Sequence, residues 1–134
     1  MRTLLFGFLL LSTASFAQLE RTLHQTFSLD SIDRVQVDLT GDVTFETWSG
    51  ASLLAETHVA LYQGNKDLLQ FFVEKQERYR IEEQRTAPAL QLASAQPERR
   101  AIQYRGKVCR EEVQITVYVP EEFAISGGQL TRKE

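Results

Sequence analysis

The sequence predicts a mainly β protein: an antiparallel curled sheet or sandwich of short strands, with one short amphipathic helix over about 65–76. Three observations predict it. Apolar and polar residues alternate with a period of two along most of the chain. Breaks containing Gly, Pro, Asn or Asp recur at the ~8–12-residue spacing of an all-β fold. A single segment switches to helical spacing.

The elements follow in order. Val35, Val37 and Leu39 point one way while Arg34, Gln36 and Asp38 point the other. Thr40-Gly41-Asp42 is a turn signal, after which Val43 and Phe45 alternate with Thr44 and Glu46. Segments 33–39 and 42–48 therefore read as a hairpin with a short Gly-containing loop. Beyond Ser49-Gly50, the stretch 52–62 places Leu53, Ala55, Thr57, Val59 and Leu61 on one face. Asn65 to Gln76 carries Leu68, Leu69, Phe72 and Val73 near i, i+1, i+4 and i+5, with Asn65 as N-cap. Leu69, Phe71 and Val73 would also alternate as a strand, but the start signals favour helix.

Tyr79 to Arg85 and Ala89 to Ser94 read as a second hairpin across Thr86-Ala87-Pro88. Val113 to Val119 is the cleanest strand, with Val113, Ile115, Val117 and Val119 on one face. Pro120 cannot donate to a ladder and ends it. Phe123 and Ile125 begin one more strand before Gly127-Gly128.

The composition fits a small folded unit. The chain has 134 residues, 43% apolar and 25% charged, with a net charge of −3 and one cysteine. One cysteine excludes an internal disulfide framework. A pI near 5.5 argues against nucleic acid as a partner. Residues 1–17, MRTLLFGFLLLSTASFA, have the order of a signal peptide: Arg2, an apolar run from Leu4 to Leu11, then Ser15 and Ala17 before Gln18. Export to the periplasm, outer surface or medium is expected, leaving 18–134 as a single β-rich domain. The apolar run is far shorter than the ~20 residues that cross a bilayer, so the protein is not expected to span the membrane.

Few residues suggest chemistry. His24 and His58 lie in different strands without zinc-like spacing, and no metal or other cofactor is expected. His58 shares a strand face with Glu56, which allows a side-by-side pair. No nucleophile elbow, phosphate-binding glycine loop or paired-histidine motif occurs. Cys109, between basic residues Lys107 and Arg110, is either a reactive thiol, open to an intermolecular disulfide, or a small buried hydrophobe.

Arg99, Arg100, Arg105, Lys107 and Arg110 place five positive charges in twelve residues with no acid between them. With Tyr104 as a stacking side chain, they are the candidate contact for anionic envelope glycans or lipid headgroups. The alternative is a solvated hairpin neutralised by Glu82, Glu83, Glu111 and Glu112. Trp48, at a strand end opposite Val43 and Phe45, either offers a binding platform or covers a core edge under the helix.

Three stretches carry a family resemblance: FSLDSIDRVQVDLTGDVTFETWSG (27–50), LLAETHVAL (53–61) and VQITVYVPEEFAIS (113–126). The strand Val35 to Leu39, the turn Gly41-Asp42, the strand Val43 to Trp48 and the break at Gly50 form its hallmark, with Val119-Pro120-Glu121 ending a later strand. In these the chain resembles the adhesin-type, head-GIN-like domains of bacterial envelope proteins, a group of unknown function. The resemblance implies an exported β-rich protein, often continued as a β-solenoid. Only residues 129–134 follow Gly127-Gly128 here, so at most a minimal β-solenoid cap is expected.

The leading expectation is a non-enzymatic structural or adhesion domain of the envelope, acting through surface contacts and through sheet edges that a protein partner completes. The alternative is a periplasmic carrier whose apolar ligand is enclosed by Leu68, Leu69, Phe71, Phe72 and Val73. An exported hydrolase ranks last for want of a catalytic constellation.

Overall fold

The computed structural model describes residues 18–134; the expected signal peptide lies outside them. The chain is mainly β, as alternation predicts, and runs β1 (Leu19–Phe27), β2 (Arg34–Asp38), β3 (Asp42–Trp48) and β4 (Leu53–Tyr62). A helix follows, α1 (Lys66–Gln70), continued by a π-helical turn (Phe71–Lys75). Then come β5 (Ile81–Thr86), β6 (Ala89–Ser94), β7 (Gln103–Tyr104), β8 (Lys107–Val108), β9 (Arg110–Pro120), β10 (Phe123–Ser126) and β11 (Gln129–Arg132).

Two sheets face one another. The first has the order β1-β4-β9-β3 and the second β10-β11-β2-β6-β5, while β7 and β8 form a separate two-stranded ribbon. Phe27, Val35, Val37, Leu53, Leu90, Leu92, Val117 and Leu130 belong to the buried cluster between them. Leu29 and Ile32, from the β1–β2 loop, join this cluster. The Arg132 guanidinium donates to both their carbonyls, which keeps those buried backbone groups satisfied.

The expected hairpin of 33–39 and 42–48 does not form. β2 pairs in parallel with β6, Val35 opposite Leu90, and β3 pairs in parallel with β9, Phe45 opposite Val117. Thr40-Gly41 is instead a corner that carries the chain from the second sheet to the first. Gly41 has φ 137°, and a Cβ there would stand 3.1 Å from the Val113 carbonyl oxygen, so the corner passes close over β9. Alternation assigns Val35, Val37, Val43 and Phe45 to a core-facing side, but opposite sheets satisfy that as well as adjacent strands do. The two parallel pairs also make both sheets mixed rather than purely antiparallel. The second expected hairpin does form, with Ile81 opposite Ser94 and Thr86 opposite Ala89.

The helix forms over the expected residues. Asn65 Oδ1 accepts from the Leu68 backbone N–H at 2.7 Å, which is the N-cap bond. Leu68, Leu69, Phe72 and Val73 pack on a second cluster built from Val59, Leu61, Tyr79, Ile102 and Cys109. The helix thus covers the end of the first sheet that the second sheet does not reach.

β1 contains His24, as expected, but its extent is cryptic in sequence because Arg21 and Gln25 take inward positions between Leu19, Leu23 and Phe27. Each is used. Arg21 pairs with Glu74 of the π-turn at 3.0 Å. Gln25 accepts from Ile81 N–H at 2.8 Å and donates to its carbonyl at 3.2 Å, standing in for a missing ladder pair.

Candidate functional surface

The basic segment is held at its base and free at its tip. Ile102 and Cys109 are buried in the second cluster, and Cys109 N–H donates to the Ile102 carbonyl at 2.7 Å. Between them β7 and β8 pair, Tyr104 opposite Lys107. Arg105 and Gly106 at the tip have φ 52° and 75°, the two left-handed residues that a tight two-residue hairpin turn requires. Tyr104 packs partly on the second cluster, leaving Arg105, Lys107 and Val108 exposed.

The six predicted contact residues therefore divide. Arg99 is turned inward: its guanidinium lies over the Tyr79 ring at 5.3 Å and donates to the Thr40 carbonyl at 3.1 Å. Arg110 lies over the Tyr62 ring at 4.8 Å and pairs with Glu112. Arg105 stacks on Tyr104 at 5.1 Å. Among the described residues, Arg100, Arg105 and Lys107 have no carboxylate within 4 Å. Of the acids expected to neutralise the segment, only Glu112 forms an ion pair with it. Glu82 pairs with Arg80 and Glu83 with Arg85.

Glu111 takes a different partner. It shares inward parity on β9 with Val113, Ile115 and Val117, which puts its carboxylate inside. There Arg78 Nε and Nη2 donate to its two oxygens at 2.9 and 3.0 Å, and the Tyr79 hydroxyl makes a further short hydrogen bond. Burial pushes the Glu111 carboxyl up, but Arg78 and Tyr79 together more than reverse this, and it lies below its ordinary value. Burial, then the Glu111 carboxylate, raises the Tyr79 hydroxyl far above its ordinary value. Arg78 also donates to the Arg100 carbonyl at 2.7 Å, tying the base of the basic segment to the buried pair. The sequence signal for this cluster was available: an acid at an inward strand position demands a buried cation.

The outer face of the first sheet gathers the histidines. Glu56 does not pair with His58 along its own strand but reaches across to His24 Nε2, at 3.1 Å. His58 Nδ1 lies 3.2 Å from Thr22 Oγ1, and its Nε2 lies 3.7 Å from Glu20. Cross-strand neighbours are closer than same-strand neighbours two residues apart, which decides the pairing. The set lies on an open sheet face. No group of three or more His, Cys, Asp or Glu among the described residues is arranged to hold a metal ion.

Trp48 lies on that same outer side, not under the helix. Its Nε1–H donates to the Ser52 carbonyl at 3.0 Å, and its ring meets Tyr118 with centroids 6.0 Å apart. The even-numbered positions of β3 face away from the core, so the helix, on the inner side, is out of its reach.

Cys109 is 3% exposed, with Sγ 3.6 Å from the Gln63 carbonyl oxygen. A reactive thiol or an intermolecular disulfide would require this position to open; in the fold it is a small core side chain. Leu68, Leu69, Phe72 and Val73 likewise pack on the second cluster rather than line a hollow, and Phe71 is exposed. One depression of about 840 Å³ is open and bordered by Gln25, Arg80, Glu82, Glu83 and Gln91. No helix among the described residues is long and apolar enough to cross a membrane.

No family profile, no curated protein and no solved structure matches this chain.

Proposed function

We propose that this chain is an exported, non-enzymatic contact domain of the cell envelope that binds anionic surfaces through its β7–β8 segment. One observation carries the reading: among the described residues, Arg105 and Lys107 on the ribbon and Arg100 at its foot are unpaired, while most other arginines are paired with carboxylates. Three uncompensated cations on a fixed support attract polyanions such as acidic envelope glycans or lipid headgroups. The signal-like residues 1–17 and the head-GIN-like stretches support an envelope location. Among the described residues, the outermost strands β1, β3 and β10, and β5 beyond Ile81, have no neighbouring strand on one side, a second route to a protein partner.

The test is binding of the purified protein to isolated envelopes at increasing salt, beside the variant Arg100→Glu/Arg105→Glu/Lys107→Glu. Binding should weaken with salt and be lost in the variant while its circular dichroism is unchanged. Equal binding by both proteins at all salt concentrations would reject the proposal.

A further inference from the structure

Among the described residues, the end that carries Arg100, Arg105 and Lys107 also carries the most exposed large apolar side chains. Val108 on β8 is 57% exposed and Phe71 in the π-turn is 45% exposed. Their two elements cap the same buried cluster, to which the helix and its π-turn contribute Leu69 and Phe72, the ribbon Tyr104, and the residues flanking the ribbon Ile102 and Cys109. The chain flanking them also meets: Cys109 Sγ, just after the ribbon, approaches the Gln63 carbonyl just before the helix. Arg78 lies over the Phe72 ring at 5.3 Å and donates to the Arg100 carbonyl. Lys66 and Lys75 on the helix are exposed and unpaired too, against the single unpaired acid Asp67; Glu74 is engaged by Arg21.

Resting on the reading above, we infer that the occupant of this end is an anionic phospholipid surface. Cations alone would suit a soluble acidic polymer equally well. The Phe71 ring can stack on a sugar, but the aliphatic Val108 does nothing for a hydrated polysaccharide, whereas both gain free energy at the boundary between headgroups and acyl chains. The combination of uncompensated Lys and Arg with Val108 and Phe71 is complementary to both layers of such a surface. The hairpin tip suits shallow insertion because its backbone is fixed by the turn at Arg105-Gly106 and by the buried anchors at its base.

The experiment is co-sedimentation of the purified protein with phosphatidylcholine vesicles, with and without phosphatidylglycerol, and a parallel measurement with soluble alginate. Phosphatidylglycerol-dependent binding should fall at least about tenfold in Phe71→Ser/Val108→Ser, as expected for losing two partly inserted apolar side chains. The Phe71 ring also meets Phe72 edge-on, with centroids 5.5 Å apart. The single change Val108→Ser, at a position outside both buried clusters, is therefore measured beside the double variant. It should keep the wild-type melting temperature while still weakening vesicle binding. If alginate binds as tightly and the serine variants bind vesicles as well as wild type, the lipid inference is overturned while the anionic-surface reading stands. If neither vesicles nor alginate bind, both fall.

Discussion

Arg78 and Glu111 form a bidentate ion pair, Nε to Oε2 at 2.9 Å and Nη2 to Oε1 at 3.0 Å, with side chains only 5% and 17% exposed. The pair joins the segment after the helix to the central strand β9, and through the Arg100 carbonyl it holds the basic segment. Removing one member leaves the other charged and buried. Arg78→Ala should cost about 3–5 kcal/mol in urea unfolding. The apolar pair Arg78→Met/Glu111→Leu should cost clearly less than the sum of the single changes, and a double-mutant cycle measures the difference.

Acid should weaken the fold through the same carboxylate. Its folded-state value lies below that of the unfolded chain, so the unfolded state binds the proton more readily. The contribution is complete above the ordinary carboxylate range and is lost as pH falls through the depressed folded value. In Glu111→Gln this part of the pH dependence should vanish. Urea midpoints at steps from pH 7 to pH 3 should therefore converge for wild type and variant as the solution becomes acidic.

Cys109 should be silent towards thiol reagents in the folded protein. Its burial predicts slow labelling by Ellman's reagent under native conditions and full labelling in denaturant. Non-reducing electrophoresis of protein kept folded should show monomer. Rapid native labelling would mean that the 63–64 and 102–109 segments open readily.

The helix start offers a local test. Asn65→Ala removes the acceptor of the Leu68 N–H bond and should cost about 1 kcal/mol, whereas Asn65→Asp should cost little. Thermal melts of the three proteins decide this, since a helix held only by tertiary packing would ignore the alanine.

Two glycines should behave differently. A Cβ at Gly128 would meet the Val37 carbonyl oxygen at 2.7 Å, and Gly128 in turn accepts from Val37 N–H at 2.7 Å. Gly128→Ala should therefore lower stability by about 1–3 kcal/mol by forcing backbone apart. Gly106 has open space around it and φ 75°, which asparagine tolerates. Gly106→Asn should stay within about 0.5 kcal/mol of wild type.

Much of the fold was legible because its signals are local. Period-two alternation marks which side chains face inward, and it placed β2, β3, β4, β9 and the β5–β6 hairpin on their residues. Helical spacing and Asn65 located the helix by the same short-range logic. Only His24 was assigned to a strand in β1, whose extent escaped because Arg21 and Gln25 interrupt its inward row, and their partners Glu74 and Ile81 lie more than fifty residues away.

Sheet membership belonged to the tertiary structure. An inward-facing Val37 and an inward-facing Val43 look alike whether they share a sheet or oppose one another across a core, because side-chain periodicity carries no record of the backbone partner. Hydrogen bonding between β2 and β6, and between β3 and β9, is decided by which packing closes the cores. The same holds for the charges. Residues 99–110 read as one basic run, yet burial turns Arg99 to Tyr79 and Thr40 and gives Arg110 to Glu112. That leaves Arg100, Arg105 and Lys107 as the free cations. Charge is written in the chain, but its availability depends on desolvation and on partners that only folding brings within reach.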